Sequence, residues 1–366
     1  MTPPTTLVLG ATGFIGRWLT LDLLRRGEPV AAAVRGPARG GELRAWLADH
    51  GLAEDSGLTL VRADVTRPDL GLSPEDEARL GAVRDVYNLA ALYRFGLTRE
   101  EARRANVDGA LHPLRWAAAR PGLRRLVHLS GYRVGRGGTP MDATGTDRLY
   151  RELGAYEASK QEGDAAVRAL APELGVPLTV VNPGVVIGHS VTGEAGQYIG
   201  LALLVEQLWT GRLPALAGSR RTVVPVVAVD HLAAFLAAVP RHDDDPVSVH
   251  TVLDPATPPL PELIGRVAAR LGVRAPRLVL PVRLVRRLPR ALTGVEPESL
   301  SFLVEDRYDT ASAERLARRA GIGHPPVGDL LERWAVRLVA DGFGRAGGAA
   351  PVPAPTTAPA TAPTDR

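Results

Sequence analysis

The feature that most constrains this chain is seven residues long and starts at position 10. Gly10-Ala11-Thr12-Gly13-Phe14-Ile15-Gly16 lies between a short apolar run, Thr6 to Leu9, and a segment with Leu19, Leu23 and Leu24 at helical spacing that ends at Gly27. Glycine suits each of the three places. The first permits the tight turn, the second lets backbone approach a pyrophosphate, and the third lets helix and strand pack closely. The free N–H groups of the helix then face the phosphates. Without a ligand the same glycines would make an ordinary strand-to-helix turn. The strand-turn-helix setting favours a dinucleotide site built from Gly10, Thr12, Gly13, Phe14, Ile15 and Gly16.

Further strands are predicted at Val30 to Val34, Leu58 to Arg62, Val83 to Asn88, Arg125 to Leu129 and Leu178 to Val181, with helical patterns between most of them. That alternation predicts an α/β fold, a doubly wound parallel sheet with helices on both faces. After about residue 185 the pattern loosens into a helix at Ile199 to Trp209, a strand at Thr222 to Val229, Pro-rich connectors and a last helix at Leu330 to Val339. The expected division is a nucleotide-binding domain over 1–185 and a smaller C-terminal substrate-binding region over 186–345. A tail over 346–366, mostly Ala, Pro, Thr and Gly, lacks the apolar side chains needed to offset ordering entropy and is expected to be disordered.

Composition narrows the function classes. The chain has 366 residues, 45% of them apolar, enough for a large core. It has no cysteine, which excludes disulfides and thiolate chemistry. No stretch approaches the roughly 18 apolar residues of a membrane span, and no signal peptide is visible, so a cytoplasmic protein is expected. The net charge is +4 and the isoelectric point about 9.7. The basic residues are scattered among nearly as many acids, which argues against nucleic acid as a partner.

All but one of the 44 basic residues are arginine. The exception is Lys160, in Tyr156-Glu157-Ala158-Ser159-Lys160. Residues four apart share a helix face. An ammonium beside a phenol favours the phenolate, so Tyr156 could exchange a proton with a carbonyl or alcohol near neutral pH. Lys160 could also hold the nicotinamide ribose. Ser130, at the end of the fifth strand, could hydrogen-bond a substrate oxygen or merely satisfy local backbone.

Ligands bind beyond the carboxyl ends of such strands. Arg35 follows the second strand and suits the 2′-phosphate of NADP, where an acid would favour NAD; a solvated arginine is the other reading. Asp64 and Val65 follow the third strand and could contact adenine. Asn88-Leu89-Ala90-Ala91 follows the fourth, with Leu89, Ala90 and Ala91 running beside the cofactor. Val181-Asn182-Pro183-Gly184-Val185-Val186-Ile187-Gly188 ends the sixth, where Pro183 and Val186 would flank the nicotinamide carboxamide. His128 and His189 have no partner at metal-ligand spacing, so structural roles and no metal site are expected.

The glycine motif, the Asn-Leu-Ala-Ala segment, Tyr-x-x-x-Lys and Asn-Pro-Gly-Val-Val-Ile-Gly together resemble the extended short-chain dehydrogenase/reductase family, which includes NAD(P)-dependent epimerases and dehydratases. Tyr308-Asp309-Thr310-Ala311-Ser312-Ala313-Glu314-Arg315-Leu316 and His324-Pro325-Pro326 extend the likeness to about residue 340. Two segments, residues 63–73 and 183–193, are similar to those of carrier-protein thioester reductases and fatty acyl reductases. The resemblance implies a Rossmann-type fold and an NADP(H)-dependent oxidoreductase. Its substrate would be a carbonyl, an alcohol or an acyl thioester, with Tyr156 as acid/base assisted by Lys160 and Ser130. It also implies a possible homodimer through residues 99–119 and 154–170. The family's usual Ser/Thr pair after the fifth strand reads Ser130-Gly131 here. A nucleotide-sugar epimerase or dehydratase retaining NAD, and a non-catalytic NAD(P)-binding sensor or assembly protein, are the alternatives on this fold.

Overall fold

A computed structural model of the chain describes residues 2–53, 56–91, 97–134, 142–285, 287, 303 and 305–345. The expected tail at 346–366 lies outside them, as do residues 135–141. Up to residue 183 the elements are β1 (Thr6–Leu9), α1 (Phe14–Arg25), β2 (Val30–Val34), α2 (Pro37–Asp49), β3 (Leu58–Arg62), α3 (Pro74–Arg79), β4 (Asp85–Asn88), α4 (Arg99–Arg103), α5 (Gly109–Ala118), β5 (Arg125–Leu129), α6 (Ala143–Leu153), α7 (Ala155–Glu173) and β6 (Leu178–Pro183). They are followed by β7 (Val185–Ile187), α8 (Leu201–Trp209), β8 (Ala215–Ala217), β9 (Val226–Ala228), α9 (Val229–His242), β10 (Val247–Val252), α10 (Leu260–Leu271) and β11 (Leu278–Leu280).

Seven strands form one sheet in the order β10-β6-β5-β4-β1-β2-β3, with parallel pairing throughout. The strand order reverses between β1 and β4, which makes the crevice beyond their carboxyl ends the expected ligand site. β1 and β2 are buried along their whole lengths, as strands covered on both faces must be. One face packs against α1, α9 and the Ala311–Arg319 helix through Leu19, Leu23, Leu232, Phe235 and Leu316. The other packs against α5 and α7 through Leu114, Val167 and Ala171. A third core joins α8, α10 and the Val327–Ala340 helix around Val205, Ile264 and Trp334.

Two features depart from the sequence expectation. The strand expected at Thr222 to Val229 is only Val226–Ala228. It pairs with β7 outside the main sheet, and α9 begins at Val229. The seventh strand, β10, pairs in parallel with β6 and comes from beyond residue 186. Its sequence hides it because Ser248 and His250 are buried. Asp243 Oδ2 accepts from Ser248 and from Thr179, and stands 3.2 Å from His250 Nε2. Polar residues satisfied inside a core do not read as strand in a hydropathy pattern.

Candidate active site

The glycine turn closes on itself. Gly10 has φ +85°, and a Cβ there would fall 2.8 Å from Ala90 N. A Cβ on Gly16 would lie 2.1 Å from the Gly10 carbonyl oxygen. β1, α1 and the Leu89-Ala90 backbone after β4 therefore meet at distances only glycine permits. Gly13 is the N-cap of α1 and no side chain caps the first turn. Thr12 and Ile15 are half-buried, Gly13 is exposed and Phe14 is buried. The result is an uncapped helix N-terminus at the mouth of the strand reversal, a cradle whose shape and polarity fit a pyrophosphate.

The neighbouring loops follow strand by strand. Arg35 is exposed just past β2. Burial opposes ionisation of Asp64, but hydrogen bonds from the Thr66 N–H and hydroxyl, with Arg104 and Arg35 nearby, hold its carboxyl below the usual range. The backbone then turns through left-handed conformations at Asp69 and Leu70, φ 51° and 57°, and buries Leu70 completely. Val65 is half-buried against Gly109. Leu89 and Ala90 are half-buried and Ala91 exposed. Pro183 ends β6, and Val186 is half-buried in β7.

Helix α7 carries Tyr156, half-buried, and Lys160, 9% exposed. The Lys160 ammonium donates to the Leu129 carbonyl at the end of β5, at 3.4 Å. Burial brings its pKa down to about 8, with Asp164 opposing the fall. Ser130 follows Leu129, and its N–H continues the ladder to Val181 O at 2.8 Å. Its hydroxyl is buried and lies beside the Asp164 carboxylate without an aligned hydrogen bond. Among the described residues, a Cβ on Gly131 would meet only Val134 Cγ2, at 3.9 Å. Tyr132 is buried edge-on against Tyr308, with ring centres 5.1 Å apart.

His128 sits one layer deeper, its Nδ1 3.3 Å from Asn88 Nδ2. Burial, reinforced by the Lys160 charge, lowers its pKa to about 3, so it is neutral at working pH. His189 Nδ1 accepts from the Val191 and Thr192 N–H groups at 3.2 and 3.3 Å, which organises its loop. Among the described residues, no group of three or more His, Cys, Asp or Glu is placed to hold a metal.

The structure adds residues that sequence reasoning did not single out. A π-helical turn at Arg104–Asp108 separates α4 from α5, a distortion common at functional sites. It presents Asn106, whose amide donates to Ser159 Oγ at 2.9 Å. The Asn106 carbonyl presses on Gly163, where a Cβ would come within 2.4 Å. Asp164 is 1% exposed on α7. The signal for it was available, because Tyr156, Lys160 and Asp164 repeat at intervals of four. The π turn has no comparable periodicity.

Comparison with known proteins places this arrangement. The chain belongs to the extended short-chain dehydrogenase/reductase family; within it, the family model of the male sterility protein matches residues 8–236. Glycine betaine reductase ATRR of Emericella nidulans is 29% identical over 276 residues, 68% of this chain and 22% of that protein. Aldehyde reductase lnaA of Aspergillus flavus is 31% identical over 252 residues, 63% of this chain and 24% of that protein. The chain thus spans about a quarter or less of these fungal relatives. In fold it is similar to the terminal R domain of the myxalamid PKS-NRPS pathway, with TM-score 0.74 and 23% identity, covering 94% of this chain and 92% of that one. UDP-glucuronic acid 4-epimerase from Bacillus cereus shares the fold at TM-score 0.65 and 18% identity, covering 91% and 98%. No helix among the described residues is long and apolar enough to cross a membrane.

Proposed function

We propose that the chain is an NADPH-dependent reductase of a carbonyl or acyl thioester, with Tyr156 as the proton donor. The observation that carries this reading is the placement of Lys160. It is the chain's single lysine, buried on the Tyr156 helix and bound to the end of β5 beside the strand reversal. The reductase names of the relatives and the thioester-reductase likeness of residues 63–73 and 183–193 support the same class.

The cradle defined by the Gly10 and Gly16 contacts fits a dinucleotide. Gly10, Thr12, Gly13, Phe14, Ile15 and Gly16 would hold its pyrophosphate. Arg35 would hold the 2′-phosphate, and Asp64 and Val65 the adenine. Leu89, Ala90 and Ala91 would line the path to the nicotinamide, with Lys160 at its ribose and Pro183 and Val186 at its carboxamide. When bound, the dinucleotide supplies the hydride. Tyr156 gives its phenolic proton to the substrate oxygen as negative charge develops there. Lys160, as an ammonium, stabilises the phenolate left behind. Ser130 sits at the strand end from which a hydroxyl could steady the same oxygen.

The test follows NADPH absorbance with purified protein against acyl thioesters, aldehydes and ketones. Turnover should occur with members of the panel and vanish in Tyr156→Phe while NADPH binding survives. Turnover retained by Tyr156→Phe would remove the tyrosine mechanism. Stoichiometric NAD in the purified protein, with no net cofactor consumption, would favour an epimerase or dehydratase instead.

A further inference from the structure

Lys160 is a cation placed in a buried site, and such a charge needs compensation. Its one hydrogen bond among the described contacts is the long one to the Leu129 carbonyl. Titratable groups face it from two elements. β5 contributes His128, which is neutral. On α7 itself the titratable neighbours at one-turn spacing are Tyr156 before Lys160 and Asp164 after it. Asp164 lies four residues, one helical turn, beyond Lys160 and has no side-chain exposure. Arg168, one turn further, stands 3.0 Å from Asp164 Oδ2.

We propose that Asp164 is the positioning residue for Lys160: its buried carboxylate, clamped by Arg168 and flanked by Ser130, keeps the lysine charged and aimed at the end of β5. The inference rests on the reading of Tyr156 and Lys160 as the reaction pair, and it names what sustains the cation in that pair. Burial raises the Asp164 pKa, and Arg168, Ser130 and Lys160 oppose the rise. The carboxylate attraction in turn raises the Lys160 pKa against its own burial. The three α7 side chains would then form an alternating row of lysine, aspartate and arginine, in which the aspartate is shared. An Asp164 that stayed protonated would contribute nothing to Lys160, and this is the alternative to be excluded.

The composition of the chain makes the test direct. With one lysine in 366 residues, lysine carrying ¹³C at Cε gives a single side-chain resonance, that of Lys160. It is titrated in full-length wild type, in Asp164→Asn and in Asp164→Glu, with thermal melts confirming that each is folded. The wild-type midpoint should lie near 8. In Asp164→Asn it should fall by about one pH unit, and in Asp164→Glu it should return toward wild type. Asn at 164 removes the Asp164–Arg168 ion pair and could unfold the helix. The double variant Asp164→Asn/Arg168→Gln removes the pair together, and its midpoint should still lie below that of wild type. In a protein active on the substrate panel, the alkaline limb of kcat/KM should move to lower pH in step. A folded Asp164→Asn or double variant with an unchanged midpoint overturns the proposal. The resonance reports on Asp164 even if no substrate of the panel is turned over, so failure of the reductase reading and failure of this inference are separable.

Discussion

Gly16 and Gly10 are in backbone contact: a methyl group on Gly16 would lie 2.1 Å from the Gly10 carbonyl oxygen. Gly13, between them, has more room, its nearest obstacle being the same oxygen at 3.3 Å. The two positions therefore separate folding from binding. Gly16→Ala should destabilise the protein by about 3 kcal/mol, near the upper end for overpacking a rigid site, as measured by urea denaturation. Gly13→Ala should fold normally but bind NADPH at least ~10-fold more weakly, because its methyl group would stand where the phosphates approach. Normal stability in Gly16→Ala would mean that the turn relaxes and that the third glycine is not a packing requirement.

In the proposed reductase, Arg35 would govern the choice of dinucleotide. Its exposed guanidinium follows β2, on the same rim as Asp64. Replacing it by aspartate exchanges a phosphate ligand for a ribose hydroxyl acceptor. Arg35→Asp should raise KM for NADPH on the order of 10-fold or more, as expected for loss of a charge-assisted hydrogen bond of about 1.5–3 kcal/mol, and lower KM for NADH. Equal KM ratios in wild type and variant would show that Arg35 lies in solvent and that the preference is set elsewhere.

How much of the fold and the site was legible in the sequence depended on whether a residue's role was local. The glycine turn and four strands match residue for residue, because turn glycines and buried apolar runs declare themselves within a few positions. That Tyr156 and Lys160 share one helix was legible through their spacing. β10 was not, because Ser248 and His250 owe their burial to Asp243 and Thr179, which come from other elements. Asn106 was hidden for a similar reason. Its place depends on a π turn and on the absence of a side chain at Gly163, 57 residues away. Contacts of that range leave no periodic trace.

Gly131 is a further test of the site. The family's usual second hydroxyl after the fifth strand is absent here, yet among the described residues only Val134 Cγ2 lies within reach of a side chain at this position. Its backbone has no left-handed φ, so an L side chain introduces no strain there. Gly131→Ser should leave the melting temperature nearly unchanged. If the proposed reductase lacks an oxygen-stabilising donor, the new hydroxyl should raise kcat on the order of 10-fold, less than the 10²-fold commonly lost when an established donor is removed. An unchanged kcat in a stable variant would assign the hydroxyl role to Ser130 alone.

Lys160 also has a cost to the fold, and the cost has a pH signature. Its folded pKa, about 8, lies below the 10.5 of an unperturbed lysine because burial disfavours the ammonium. Between those values the unfolded chain binds more protons than the folded one, so this contribution to stability rises with pH and levels off once both states are neutral. Below pH 8 the buried ammonium destabilises the protein by roughly 3 kcal/mol, because each pH unit separating the folded and unfolded pKa is worth about 1.4 kcal/mol. Lys160→Met, similar in length and uncharged, should therefore be inactive yet more stable than wild type at pH 7, and the gain should shrink toward zero above pH 10. Urea denaturation at the two pH values measures it directly. A Lys160→Met protein no more stable than wild type at pH 7 would mean that Asp164 and the strand-end carbonyl compensate the buried charge fully, and that the lysine resides in its site without penalty.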